Sequence, residues 1–161
     1  MLERRPAVAA DEPFLRELYA TTRPDLAGWD EASREVFVDL QLRAQRREWE
    51  AAFPGSADEV ILLDGRPVGR LWVAWLDDAC VLVDMILRPE FRRAGVGTQL
   101  VSDVLAEADR RGVPARLTVE RTNRASLAFC ARLGFVETGG DDVLARLERA
   151  VSPARPQRAS G

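Results

Sequence analysis

At 161 residues, 47% hydrophobic and 30% charged, the chain has the size and composition of one soluble globular domain, which excludes a wholly disordered protein. The formal charge is -3 and every cation is Arg, so nonspecific nucleic-acid binding is disfavoured while a local arginine cluster can still hold a small phosphorylated ligand. With no His, and with Cys80 and Cys130 far apart in sequence, a protein zinc site is not expected and no metal is called for.

No apolar run follows Met1 to Pro6 to serve as a signal-peptide core, and nowhere do eighteen apolar residues run together. The expectation is a cytoplasmic protein without membrane insertion. A short extended start leads to a helix over Pro13 to Tyr19, with Asp11 as a plausible cap and Arg23-Pro24 as its end. Asp30 or Ser33 starts a second helix, in which Val36, Phe37, Leu40 and Ala44 recur at three- and four-residue intervals and predict the apolar face. Phe53-Pro54-Gly55 stops it.

Val60 to Leu63, then Asp64-Gly65, then Val68 to Trp75 reads as a hairpin, and Asp77-Asp78 supplies another turn. Cys80 to Leu87 is nearly continuous apolar sequence, as in a central strand covered on both faces, interrupted only by Asp84. From Gly95 a helix carries Leu100, Val101, Val104, Leu105 and Ala108 on one face and ends near Arg111-Gly112, before Pro114. Residues 115 to 120 fit a strand, 125 to 133 a short helix closed by Gly134, and 135 to 147 two small strands around Gly139-Gly140. This is a mixed α/β unit over residues 1 to 150. Residues 151 to 161, with two prolines and no large anchoring side chain, are expected to form a disordered tail.

The informative segment is Arg88-Pro89-Glu90-Phe91-Arg92-Arg93-Ala94-Gly95-Val96-Gly97-Thr98, between a strand and a helix. Glycines at 95 and 97 remove Cβ atoms where backbone amides would converge on phosphate oxygens, and the helix adds its positive end. A nucleotide P-loop would need a Gly-Lys-Ser/Thr ending, and a dinucleotide fingerprint would need a third glycine where Leu100 stands. The remaining alternative is plain: solvated arginines beside a tight connection.

Arg92 to Gly97 resembles the acyl-CoA pyrophosphate motif of the GNAT superfamily of N-acetyltransferases. The segment Asn123-Arg124-Ala125-Ser126-Leu127-Ala128-Phe129-Cys130-Ala131-Arg132-Leu133-Gly134-Phe135 is similar to the same family's later strand and helix. The resemblance is strongest over residues 80 to 138. It implies a GNAT-like mixed, mostly antiparallel central sheet, flanked by helices and splayed between strands 4 and 5, with acyl-CoA in the opening. Backbone groups of Met85, Ile86 and Leu87 would then bind the pantetheine arm. Amides of Arg93, Ala94, Gly95, Val96, Gly97 and Thr98 would cradle the pyrophosphate, with Arg92 bordering it. Asn123 and Ser126 would lie near the CoA arm. The implied activity is direct transfer of an acetyl group from acetyl-CoA to a primary amine, with CoA as product. A noncatalytic acyl-CoA-binding or regulatory protein is the alternative.

Asp84, an acid inside an apolar strand, is the candidate base or amine-orienting group; burial would raise its pKa and a nearby cation lower it. Otherwise it faces a wet cleft or holds another polar group. By the resemblance, Cys130 stands where the family commonly has a tyrosine proposed to protonate the departing thiolate. A thiol can donate that proton, yet Leu127 and Leu133 at one helical step on either side also fit Cys130 to an ordinary packing face. Tyr19 is an unplaced alternative. The acceptor, a small-molecule or peptide amine, is expected against residues 19 to 36, where Asp25, Asp30 and Glu31 could attract an ammonium and Trp29, with Trp72 and Trp75, could supply aromatic walls. Neither nucleic acid nor membrane is an expected partner, and a homodimer is left open.

Overall fold

The computed structural model describes residues 1–153, so most of the expected tail, from residue 154 to 161, lies outside the described residues. The strands are β1 (Leu2–Pro6), β2 (Ala57–Leu63), β3 (Arg66–Trp75), β4 (Cys80–Leu87), β5 (Ala115–Glu120), β6 (Val136–Gly140) and β7 (Leu144–Arg149). The helices are α1 (Glu12–Ala20), α2 (Glu31–Ala52), α3 (Val96–Arg111) and α4 (Arg124–Arg132). The strands form a seven-stranded mixed sheet in the order β1-β2-β3-β4-β5-β7-β6, flanked by helices. The chain divides into two compact units, Met1–Ala74 with Leu82–Gly97, and Trp75–Val81 with Thr98 onward. No helix among the described residues is long and apolar enough to cross a membrane.

In the first unit β1 pairs antiparallel with β2, and β2 with β3. The two-residue turn between β2 and β3 has positive φ at both Asp64 (49°) and Gly65 (77°), the left-handed pair whose twist matches that of the flanking strands. Asp30 accepts the Ser33 amide at 2.9 Å and so caps α2, settling which of the two candidates starts it. Asp11 does not cap α1 with its side chain. It accepts both Arg5 guanidinium nitrogens, at 2.7 and 2.8 Å, and the Val8 amide at 2.8 Å.

The apolar face expected on α2 is corrected. Of the four expected residues only Phe37 packs, partly buried, against the core; Val36 and Leu40 are 62% and 59% exposed and Ala44 is exposed, whereas Val38 and Leu42 are buried with Tyr19 and Leu26. The inward row continues from Leu42 to Gln45 and Trp49, and these contact a buried arginine, Arg70, and Trp72. A polar partner on β3 therefore makes the inward stripe look like an outward one.

In the second unit Cys80 and Val81 pair in parallel with Ala115 and Arg116, and the β4–β5 ladder is confined to these two pairs. β7 pairs antiparallel with both β5 and β6. The five residues anticipated on the inner face of α3, from Leu100 to Ala108, are all buried. The turn expected at Gly139-Gly140 lies instead at residues 141–143, where the Asp141 carboxylate accepts the amides of Val143 and Leu144 at 2.8 and 2.7 Å. The two glycines are paired positions of β6, opposite Arg146 and Ala145, and the bulge falls before them, at Thr138. Gly140 has φ 136°, and a Cβ on it would strike the Leu144 carbonyl.

Gly69 is the tightest point of the first unit. A Cβ there would lie 2.5 Å from the Ile86 carbonyl oxygen and 2.7 Å from Leu87 Cδ2. Gly69→Ala is expected to cost about 1–3 kcal/mol, the usual range for overpacking, whereas Gly28→Ala, which meets no atom within 4 Å, should stay within about 0.5 kcal/mol of the parent. Urea unfolding of both variants checks this; equal effects would mean that β4 yields freely at Ile86.

Candidate active site

The segment after β4 opens with a single 3-10 turn, Pro89–Phe91, then passes through Arg93 at φ 61° and Gly95 at φ 82° before α3 begins. Two left-handed residues this close turn successive amides toward one side, the geometry of an anion-binding nest. Among the described residues no acceptor takes up the amides of Arg93, Ala94 or Gly95, and the first-turn amides of α3, at Val96, Gly97 and Thr98, lack intrahelical partners by construction. A non-glycine residue held at positive φ is a strained choice, retained only when the surroundings impose it. Arg92 supplies part of that restraint: its side chain donates to the Leu87 carbonyl at 3.0 Å and to the Thr21 hydroxyl at 3.3 Å. Arg88 lies over Phe14 and pairs with Glu17, so α1 anchors the same segment. Arg92 is thus a brace for the loop, while the free donors are backbone amides.

On β4, the Leu87 carbonyl is occupied by Arg92 and the Ile86 carbonyl faces the space kept open by Gly69. Asp84, two and three residues upstream, is partly buried, and its Oδ2 has neither solvent exposure nor a hydrogen-bond partner among the described residues. Burial pushes its carboxyl up to about 6; the Arg70 charge and the Met85 backbone amide pull against that rise, and Asp58 adds to it. Such a carboxyl changes protonation close to neutral pH.

Arg70, only 1% exposed, is a site residue that the sequence reading passes over. Its Nε and Nη2 donate to the two carboxylate oxygens of Asp58 at 2.7 and 3.0 Å, and Nη1 donates to Gln45 Oε1 at 3.2 Å. The guanidinium also lies over Trp49 and Trp72, at 5.5 and 4.9 Å from the ring centroids. The signal that could have found it is the one that marks Asp84: a lone charge inside an apolar strand, Val68 to Trp75.

In the second unit Cys130 is buried on α4, and burial pushes its thiol up from the usual range. Among the described residues the two cysteines are not joined in a disulfide. Asn123 caps α4, its side-chain oxygen accepting the Ser126 amide at 3.1 Å. Tyr19 is buried in the core beside α2, with its hydroxyl accepting from Arg23 at 3.3 Å.

The aromatic residues considered for the acceptor side separate. Trp72 is buried and donates to the Ser56 hydroxyl at 2.7 Å, which makes it a packing residue, and Trp75 is covered by Arg111 at 4.2 Å. Trp29 remains 45% exposed beside Phe37. Trp29, Ala32, Ser33, Val36, Phe37 and Leu40 line an open groove of about 450 Å³, which accounts for the outward apolar row of α2. Asp25 is engaged by Arg23 and Asp30 by the α2 cap, so neither is an unoccupied counter-ion for an ammonium. A second cavity of about 370 Å³, lined by Arg116, Thr118, Thr138 and Arg146 among others, lies within the second unit.

The raised Asp84 carboxyl has a signed consequence for stability. With a native value near 6 and a reference value of 3.8, the folded state holds a proton that the unfolded state has lost between those limits. Stability therefore rises as pH falls through 6 and levels off below 3.8, and the ionised form costs on the order of 3 kcal/mol above pH 6. Asp84→Asn should accordingly raise the unfolding free energy at pH 8 by about 1–3 kcal/mol and give no gain at pH 4. Denaturant titrations at the two pH values measure it, and a pH-independent difference would contradict an uncompensated charge at this position.

The family model described as "Acetyltransferase (GNAT) family" matches residues 13–135. Comparison with curated protein sequences finds no match. Among solved structures, the chain resembles PaiA N-acetyltransferase from Thermoplasma acidophilum, in complex with coenzyme A, with TM-score 0.69 and 18% identity over 93% of this chain and 99% of that one. An acetyltransferase from Thermus thermophilus gives TM-score 0.69 and 23% identity over 92% and 96% of the two chains. The ribosomal-protein-S18-alanine N-acetyltransferase from Escherichia coli gives 0.63 and 18% over 98% of each. These likenesses show a shared fold, and the family match covers most of the chain: the protein belongs to the GNAT acetyltransferase family.

Proposed function

We propose that the chain is an acetyl-CoA-dependent N-acetyltransferase acting on a primary amine. The observation that carries this is the loop of unengaged amides from Arg93 to Gly95 running into the first turn of α3, a cradle that fits a pyrophosphate by charge and by donor chemistry. In this reading Met85, Ile86 and Leu87 border the pantetheine arm and Arg92 holds the loop in shape. When bound, acetyl-CoA supplies an activated acetyl group that is transferred to the acceptor nitrogen, with CoA released as the thiol.

Asp84 takes the proton that the acceptor ammonium must lose. A carboxyl near 6 is basic enough to accept it and ionised enough at neutral pH to be available. Cys130 is the candidate donor to the departing sulfur, and its raised thiol stays protonated across neutral pH. The coenzyme A complex of the Thermoplasma acidophilum N-acetyltransferase, similar in fold, supports acetyl-CoA as the source of the acetyl group. A cysteine in place of the family's common tyrosine favours the second reading, an acyl-CoA-binding protein without turnover.

CoA should raise the thermal transition, with a stabilisation of about 2.7 kcal/mol at a hundredfold excess over Kd. Gly97→Glu should lose most of that shift because its carboxylate repels the pyrophosphate, and its ligand-free transition, measured beside the parent's, reports whether it folds. Retained affinity in the folded variant would move the site elsewhere. A panel of amines with acetyl-CoA, read by the mass of the acylated product and not by thioester loss alone, separates the two functions: saturable CoA binding with no product favours the noncatalytic one.

For Cys130→Ala, single-turnover formation of the acyl-amine is expected to slow about tenfold to a hundredfold, the low end of general-acid effects, while CoA affinity is kept. A chemical step as fast as the parent's, in protein corrected for its folded fraction, would leave Cys130 as a packing residue of α4.

A further inference from the structure

The cavity of about 370 Å³ in the second unit is lined by residues that the proposed acetyl transfer does not use. It borders the sheet of β5, β7 and β6, where Thr118, Arg146 and Gly139 stand side by side as cross-strand partners. Two arginines line it, and they differ in state. Arg116 is engaged: its Nε donates to Glu148 Oε2 at 2.8 Å and its Nη1 to Asp78 Oδ2 at 3.2 Å. The exposed Arg146 guanidinium donates to no acceptor among the described residues. The acid in its field is Asp141, whose carboxylate already accepts the Val143 and Leu144 amides.

Gly139 explains where that guanidinium sits. Its φ is not in the left-handed region, so the backbone does not call for glycine there. The missing side chain serves another end: a Cβ would lie 2.9 Å from Arg146 Nη2, 3.3 Å from Nε and 3.5 Å from Cζ. Similar distances to three atoms of one plane mean that the guanidinium rests its face on Gly139 and keeps its N–H edge free. The Thr118 hydroxyl, on the neighbouring strand, has no hydrogen-bond partner among the described residues, and the Thr138 hydroxyl makes only a long donation of 3.4 Å to the Arg146 carbonyl. A planar fork beside two hydroxyls, with Val81 and Leu117 as apolar wall, is a donor set for one planar oxyanion. Glu148 also lines the space, so a second negative charge on the ligand is penalised.

We propose that this cavity binds a small monocarboxylate, held by the free N–H edge of Arg146 and by the hydroxyls of Thr118 and Thr138. A volume of about 370 Å³ lies at the small end for ligand sites and admits an organic acid with a short apolar body. The inference stands apart from the acetyl transfer proposed above, and its test needs no CoA.

The experiment titrates the whole 15N-labelled protein with acetate, propionate and benzoate, following the N–H signals of the Arg146 side chain and the Gly139 backbone. At least one acid should bind saturably and shift both. Arg146→Gln should weaken that binding about tenfold to a hundredfold, the range for hydrogen bonds to a charged group. Gly139→Ala displaces only the end of a flexible side chain, so it should fold and weaken binding several-fold with no change of charge. Arg110→Gln makes the same charge change on α3, outside the cavity, and should keep the parent affinity. Thermal unfolding of each variant beside the parent reports the folded fraction. Benzyl alcohol, which has the ring of benzoate without the charge, should not saturate the site, and inorganic phosphate should bind more weakly than the acids. Saturation by none of the acids, equal losses in Arg110→Gln and Arg146→Gln, or tighter binding of phosphate or benzyl alcohol overturns the proposal.

Discussion

The first unit is organised around the contact between Arg70 and Asp58. A guanidinium with 1% exposure has given up its water, and one uncompensated ion at this depth would cost several kcal/mol. Everything around it answers that cost. Asp58 supplies both oxygens, Gln45 receives a further N–H, and two indoles cover the planar faces. Lysine could not substitute, since an ammonium offers neither the planar fork nor the stacking surface. The orientation of α2 follows, because Val38, Leu42, Gln45 and Trp49 can all face inward only when the stripe accommodates this cation.

That dependence explains why periodicity misleads on α2 and succeeds on α3. On α3 the inner row is purely aliphatic, so spacing and hydrophobicity point the same way, and all five anticipated residues are buried. On α2 two candidate rows compete. The more continuous apolar row, through Val36 and Leu40, lines an open groove, and the buried row contains Gln45. Hydrophobic periodicity cannot identify an inward glutamine, whose partner lies 25 residues away on β3. Strand positions are clearer: Cys80 to Leu87 and residues 115 to 120 coincide with β4 and β5. Gly139 and Gly140 mislead for a local reason, because a turn and a strand position at positive φ both select glycine, and only the Asp141 side chain places the turn beyond them.

The site is legible where the chemistry is local. A loop that presents amides to an anion needs glycine at a defined spacing, so Gly95 and Gly97 carry the signal in the sequence itself. The part played by Arg92 is not visible there, because an arginine in a phosphate motif is read as a charge and here also serves as a brace to Leu87 and Thr21. Asp84 stands out as a charge in an apolar run, but its proton affinity depends on groups from β2 and β3 that no local pattern connects to it.

β4 carries two demands that conflict in most strands. As a core strand it must be apolar and closely packed, which Gly69 permits by letting the Ile86 carbonyl approach within 2.5 Å of the place a Cβ would occupy. As the strand leading into the candidate site it also holds the carboxylate of Asp84, whose Oδ2 is buried without a partner among the described residues. A charge on such a strand is tolerable only if its neutral form is within reach, and a carboxyl near 6 meets that condition. The penalty of ionisation also sets the proton affinity: a carboxyl that the fold prefers protonated binds its proton more strongly than an exposed aspartate would. The cost of burying Asp84 and the raised proton affinity of its carboxyl have the same physical origin.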